Sequence, residues 1–151
     1  MVPLLLPLLV ADVPRFGEVP HLAKDELAVV TESGGGRFYQ ARLAVLRDGT
    51  VAYAATLDRK PERRARWRLS PPELAALRRL VARTDFPTLH VAPRGRFSPS
   101  ALDGIDRGLA VRQGPAVRGW TNTVWTEPER PVPLFQSLGD LITRSRTLSK
   151  G

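Results

Sequence analysis

Residues 39–57 read YQARLAVLRDGTVAYAATL, and their period of two constrains this chain more than any other feature. Tyr39, Ala41, Leu43 and Val45 alternate with Gln40, Arg42, Ala44 and Leu46, and beyond Asp48-Gly49 the alternation resumes at Val51, Tyr53, Ala55 and Leu57. Such a pattern specifies two half-buried strands joined by a tight turn. The turn length follows from the register. A two-residue Asp-Gly loop would pair Val45 with Ala52 and Leu43 with Ala54, sending the large side chains to opposite faces. A three-residue loop, Arg47-Asp48-Gly49 with Gly49 left-handed, pairs Val45 with Val51, Leu43 with Tyr53 and Ala41 with Ala55, and gathers every large side chain on one face.

The neighbouring segments extend this sheet. Leu27, Val29 and Thr31 alternate with Ala28, Val30 and Glu32, which suits a strand that the run SGGG interrupts at Ser33. After the turn Arg59-Lys60-Pro61-Glu62, Arg64, Arg66 and Arg68 alternate with Ala65, Trp67 and Leu69, giving a strand with an arginine face. Ser70-Pro71-Pro72-Glu73 then carries an N-cap, a proline at the first helical position and the glutamate of a capping box. The helix it opens runs to about Thr84, with Leu74, Leu77, Leu80 and Val81 as its inner stripe. Residues 88–104 read as a long surface loop, Leu109 and Val111 as a short strand, and Ala116–Thr123 as its return across Gln113-Gly114-Pro115. A last helix follows Pro133 and places Leu134, Phe135, Leu138, Leu141 and Ile142 on one side. The sum is an α+β domain, an antiparallel sheet of about five strands with two helices packed on one face. It occupies residues 25–146, between a segment 1–24 and a short tail 147–151.

At 151 residues the chain has the length of one domain. Its first eleven residues, MVPLLLPLLVA, are apolar over the length of a signal-peptide core and too short to span a bilayer. Ala11-Asp12 offers a small-residue cleavage point, and residues 12–24, with Pro14 and Pro20, read as a linker. The expectation is therefore an exported protein, periplasmic or extracellular, with a cytoplasmic one as the alternative. The net charge is +8, and 20 of the 23 cationic residues are arginine. A basic surface favours anionic partners, although so strong a preference for Arg over Lys is also what a GC-rich coding sequence produces. The absence of cysteine excludes disulfides, thiolate metal sites and cysteine nucleophiles.

The chemistry-bearing residues do not assemble into a catalytic motif. Gly34-Gly35-Gly36-Arg37 lacks the Lys-Ser or Lys-Thr of a phosphate loop and opens onto a strand rather than a helix, so it reads as a strand connection. The two histidines, His21 and His90, lie in the linker and after the first helix, and neither His90 with Ser98 nor Ser100 has the spacing of a triad. Asp103 and Asp106 resemble a fragment of a calcium loop without its remaining ligands. No catalytic residue, metal or cofactor is expected. Two surfaces remain. The basic segment from Arg59 to Arg68, with Arg64, Arg66 and Arg68 about 7 Å apart along one strand face, suits a nucleic-acid backbone through Arg59, Arg64, Arg66 and Arg68. Trp120 and Trp125, flanking Thr121-Asn122-Thr123, are aromatic anchors of the kind found in protein interfaces.

The order of strand, glycine-bearing loop, RLAVLRDGTVAYAA, strand and LSPPELAALRRLVARTDFPTL resembles a small bacterial domain of unknown function found in exported proteins and lipoproteins. More distantly it is similar to the emfourin type of metalloprotease inhibitor, which also carries a double-glycine loop and a helix ending in an aspartate–phenylalanine pair. The resemblance covers roughly residues 27–143. It implies a non-enzymatic domain that binds another protein through loops at the end of its sheet, in the second case as a protease inhibitor. The residues it singles out are Ser33, Gly34, Gly35, Gly36, Arg37 and Phe38, an exposed loop able to enter a cleft. The alternative is nucleic-acid binding by the Arg59–Arg68 stripe.

Overall fold

The computed structural model describes residues 19–34, 39–58, 60–86, 91–93, 105–122, 126–128 and 132–150. The leader-like segment, Gly35–Phe38, Arg59, His90, Ser98, Asp103 and Trp125 lie outside them. Strands β1 (Glu26–Gly34), β2 (Tyr39–Leu46), β3 (Thr50–Thr56) and β4 (Arg63–Arg68) form an antiparallel meander. Helix α1 (Pro71–Arg83) then carries the chain across to the far side of β1. There β6 (Ile105–Gln113) pairs with β1 and with β7 (Ala116–Asn122), giving one six-stranded sheet in the order β4-β3-β2-β1-β6-β7. Helix α2 (Pro133–Ser149) closes the chain.

The hairpin register is the expected one, with Val45 opposite Val51, Leu43 opposite Tyr53 and Ala41 opposite Ala55. Gly49 takes φ +93° in the three-residue turn, a conformation that a side chain disfavours. At α1 the capping box is complete: Glu73 N–H donates to Ser70 Oγ at 3.3 Å, and Ser70 N–H donates to a Glu73 carboxylate oxygen at 2.8 Å. Both helices cover the same face of the sheet. Leu77 and Val81 of α1 and Leu134, Leu138 and Ile142 of α2 join one apolar cluster with Val30, Leu43, Val45, Val51, Tyr53, Leu109 and Val111. Edge strand β4 is fastened by Trp67, whose indole N–H donates to the buried Ser145 Oγ at 2.9 Å, while the Arg144 guanidinium lies 4.2 Å from the ring centre.

Several expectations are corrected. The main sheet has six strands rather than about five, and β6 is longer than the short strand expected at Leu109 and Val111, since it begins at Ile105. Asp106, Arg107 and Gly108 break the apolar alternation there, yet their backbone pairs with Ser33, Glu32 and Thr31. Within the supposed long loop, β5 (Val91–Pro93) pairs with β8 (Thr126–Pro128), a three-residue ladder too short to leave a period in the sequence. Residues 147–149 belong to α2 rather than to a tail.

The largest correction concerns the supposed linker. Leu22 is buried on the sheet face opposite the helices, in contact with Val29, Ala44 and Ala110. These sheet residues are small, which lets the covering segment lie close. Glycine serves the same purpose on β7. A Cβ built at Gly119 would stand 2.3 Å from Val19 Cγ1, so the segment crosses β7 where no side chain intervenes. The turn that follows is held electrostatically. Arg42 Nη2 donates to both carboxylate oxygens of the buried Glu26 at 3.1 and 3.0 Å, and Glu26 Oε1 also accepts the Ala23 N–H at 2.7 Å. Arg112 Nη2 donates to the Ala23 carbonyl at 3.0 Å. A bulge between Glu26 and Ala28 turns Leu27 back into the helix-side core.

Candidate functional site

At the sheet end where β1 stops and β2 starts, Glu32 and Tyr39 share the helix-side face. Gly34 pairs with Tyr39 and Glu32 with Ala41, so the two side chains are diagonal neighbours, and the small Ala41 leaves them room. Glu32 is only 2% exposed. Burying a carboxylate is costly unless its lone pairs are used, and here they are. Oε1 accepts the Tyr39 hydroxyl at 3.1 Å and Arg146 Nη2 at 3.0 Å, while Oε2 accepts Arg107 Nε at 2.9 Å. Arg146 Nη2 also donates to the Tyr39 oxygen at 2.6 Å. Burial pushes the Tyr39 phenol above its ordinary pKa, and the Glu32 carboxylate pushes it further. Tyr39 therefore stays protonated at neutral pH and acts as a donor, not as a base or nucleophile.

This network forms one wall of a cleft of about 220 Å³. The rings of Tyr39 and Tyr53 line it, with Ala55, Leu57 and Pro61 adding apolar surface. Among the described residues that line it are four cations, Lys60, Arg63, Arg146 and Lys150, and no carboxylate. Lys60 and Lys150 are two of the three lysines in the chain. Unlike Arg146, the side chains of Lys60, Arg63 and Lys150 are exposed and have no ion-pair partner among the described residues. A second groove, between α1 and α2, differs in kind: it mixes Glu73 and Asp140 with Arg144, which is paired with Glu73 at 3.2 Å.

Two surfaces that the sequence kept apart are thus partly joined. Ser33 and Gly34 end β1 and Gly34 pairs with Tyr39, which lines the cleft, whereas Gly35, Gly36, Arg37 and Phe38 lie outside the described residues. The first residues of the basic segment, Lys60 and Arg63, point to the same place. The rest of it does not. Arg64, Arg66 and Arg68 stand opposite Ala54, Ala52 and Thr50, on the face away from the helices. Arg64 Nε donates to Glu62 at 2.8 Å and Arg68 to Asp48 at 3.1 Å, whereas Arg66 has no ion-pair partner among the described residues. Trp120 is half-buried against Phe135, with ring centres 4.5 Å apart, and so belongs to the packing beneath α2 rather than to an open anchor.

Nothing in the sequence marks Tyr39, Tyr53, Arg146 and Lys150 as neighbours in one cleft. The tyrosines read as alternating strand residues, and the two cations fall near the end of the chain with no motif around them. Among the described residues no group of three His, Asp or Glu comes together to hold a metal ion, and no helix is long and apolar enough to cross a membrane. The chain matches no model of a known protein family, and no curated protein sequence matches it significantly.

Proposed function

We propose that this α+β domain is a non-enzymatic binding module that engages another protein through the end of its sheet, at the cleft lined by the start of β2, the end of β3, the β3–β4 turn and the C-terminus of α2. The observation that carries the reading is the cleft's size and lining. At about 220 Å³ it falls below the roughly 300–1,000 Å³ typical of small-molecule and cofactor sites. It matches one or two side chains presented by a larger partner. Its tyrosines, arginines and apolar lip are the residue types that dominate binding energy at protein interfaces. An exported location, as the leader-like N-terminus suggests, fits such a role, and the inhibitor-type activity implied by the resemblance is the case in which the partner is a protease.

The test is a photo-crosslinking amino acid placed at Leu57, on the cleft and 36% exposed, and at Val117, 51% exposed on the edge strand β7. In cells that make the protein, the Leu57 position should give a discrete protein adduct that the Val117 position does not. Identical adducts at both positions, or adducts removed by nuclease, would overturn the reading.

A further inference from the structure

Within that reading, on which this step rests, we infer that the cleft recognises a carboxylate carried on an apolar stem, either the C-terminus of a partner chain ending in an apolar residue or an acidic side chain. The four cations establish the sign of the ligand. Lys60, Arg63 and Lys150 supply charge with no acid paired to them among the described residues, while Arg146 is held in place by Glu32 and the Tyr39 hydroxyl. The remaining walls decide between anions. The two tyrosine rings, Ala55, Leu57 and Pro61 offer nothing to a bare phosphate, which keeps its hydration, but they match the hydrocarbon part of an amino-acid residue. The volume admits a carboxylate with a small apolar side chain and excludes a nucleotide.

The position of the cleft adds to this. Arg146 and Lys150 sit in the last turn and at the C-cap of α2, where the negative end of the helix dipole steadies the cations before a ligand arrives. Tyr39 remains a protonated donor beside them. The Arg146–Tyr39 part of the wall is therefore preorganised.

The experiment is a titration of the full chain, followed by amide chemical shifts in low salt, with four probes: Ac-Gly-Ser-Leu as the free acid, the same peptide as its amide, Ac-Gly-Glu-Leu amide, and inorganic phosphate. The free acid, the glutamate peptide or both should shift residues around Lys60 and Arg63, whereas the uncharged amide should not. Which of the two binds identifies the source of the carboxylate. Lys60→Ala and Arg63→Ala should each weaken binding about five- to tenfold, as expected for a charge-assisted contact. Both side chains are exposed and unpaired, so the variants should keep the parent spectrum elsewhere, and Arg66→Ala on the opposite face should bind as the parent does. Binding of the uncharged amide as tightly as the acids, phosphate binding as tightly as the peptides, or no shift from any probe would overturn the inference. Its failure is separable from that of the binding role: adducts from Leu57 without carboxylate binding refute only the ligand, and carboxylate binding without a protein adduct refutes only the role.

Discussion

The Glu26–Arg42 pair gives the sharpest test of how the second face of the sheet is built. The side chains are 7% and 10% exposed, and Arg42 Nη2 reaches both carboxylate oxygens. Glu26→Gln keeps an acceptor for the Ala23 N–H but leaves the guanidinium charge buried without its counterion. Arg42→Met leaves the carboxylate in the same position. Breaking a buried pair from one side costs about 3–5 kcal/mol, and a Gln that still accepts one hydrogen bond brings its own loss to about 2–4 kcal/mol. The double variant removes both charges and retains the volume, so it should fall within about 1.5 kcal/mol of the parent. Urea unfolding followed by tryptophan fluorescence reads each value by linear extrapolation. Against a total stability of about 5–15 kcal/mol the single losses are large. If the double variant loses the sum of the single losses, the charges are screened by water and the account of a dry electrostatic clasp beneath Leu22 is wrong.

Three further outcomes follow from the same geometry. Leu134 is fully buried between α2 and the sheet, so Leu134→Ala should cost about 2–5 kcal/mol, seen as a lower urea midpoint at unchanged slope; a loss below about 1 kcal/mol would place it outside the core. Two glycines should respond with opposite sign. Gly49→Ala forces a side chain into φ +93° with its Cβ 3.2 Å from Leu74 Cδ2, costing about 1–3 kcal/mol, whereas Gly139→Ala, in the interior of α2 with open space around it, should stabilise by about 0.5–1 kcal/mol. Thermal midpoints separate the two cases, and a shift of the same sign for both would refute the reading. Asp48 and Glu73 are held below their ordinary carboxylate pKa values chiefly by the backbone N–H groups of Thr50 and Ser70. A depressed folded-state pKa contributes stability above the unfolded value, near 4, that is lost as pH falls through the folded value. The thermal midpoint should therefore fall on acidification below about pH 4, and Asp48→Asn with Glu73→Gln should flatten that fall; superimposable pH curves would sink the assignment.

What the sequence makes legible is what is local. The hairpin register follows from side-chain volumes within twenty residues, and the α1 boundary from four consecutive residues whose capping hydrogen bonds form as expected. The second face of the sheet is hidden because its determinants are dispersed. Leu22 is a lone apolar residue in a proline-bearing stretch, and Arg42, at an outward-reading position, is buried by a partner sixteen residues away. The cleft is hidden for the same reason. Its cations come from the β3–β4 turn, the start of β4 and the end of α2, and no spacing rule connects positions 60, 63, 146 and 150. Of the glycine-bearing segment, the flanking Gly34 and Tyr39 pair at the sheet end where Tyr39 lines the cleft, while the most conspicuous arginines, Arg64 and Arg68, are engaged by Glu62 and Asp48 on the other face.

The net charge of +8 is therefore a poor guide to where anions bind. Much of it is structural: Arg42 and Arg112 hold the turn before β1, Arg107 and Arg146 hold Glu32, and Arg144 links α2 to the N-terminus of α1. Other cations, such as Arg66, are exposed and have no ion-pair partner among the described residues, but stand on a strand face beside small residues and outside both clefts described above. Field strength depends on geometry as well as on count, since a cleft with low-dielectric walls focuses potential that an open surface dissipates. Salt dependence separates the two situations. A single-stranded nucleic acid laid along the arginine stripe would release counterions from each phosphate contacted, with a slope of log K on log salt of about −0.7 per contact. A carboxylate in the cleft neutralises one charge inside a partly desolvated site, so its slope should stay near or below one. A slope of two or more for a ligand of this chain would move the binding surface from the cleft to the stripe, whatever the peptide titrations showed.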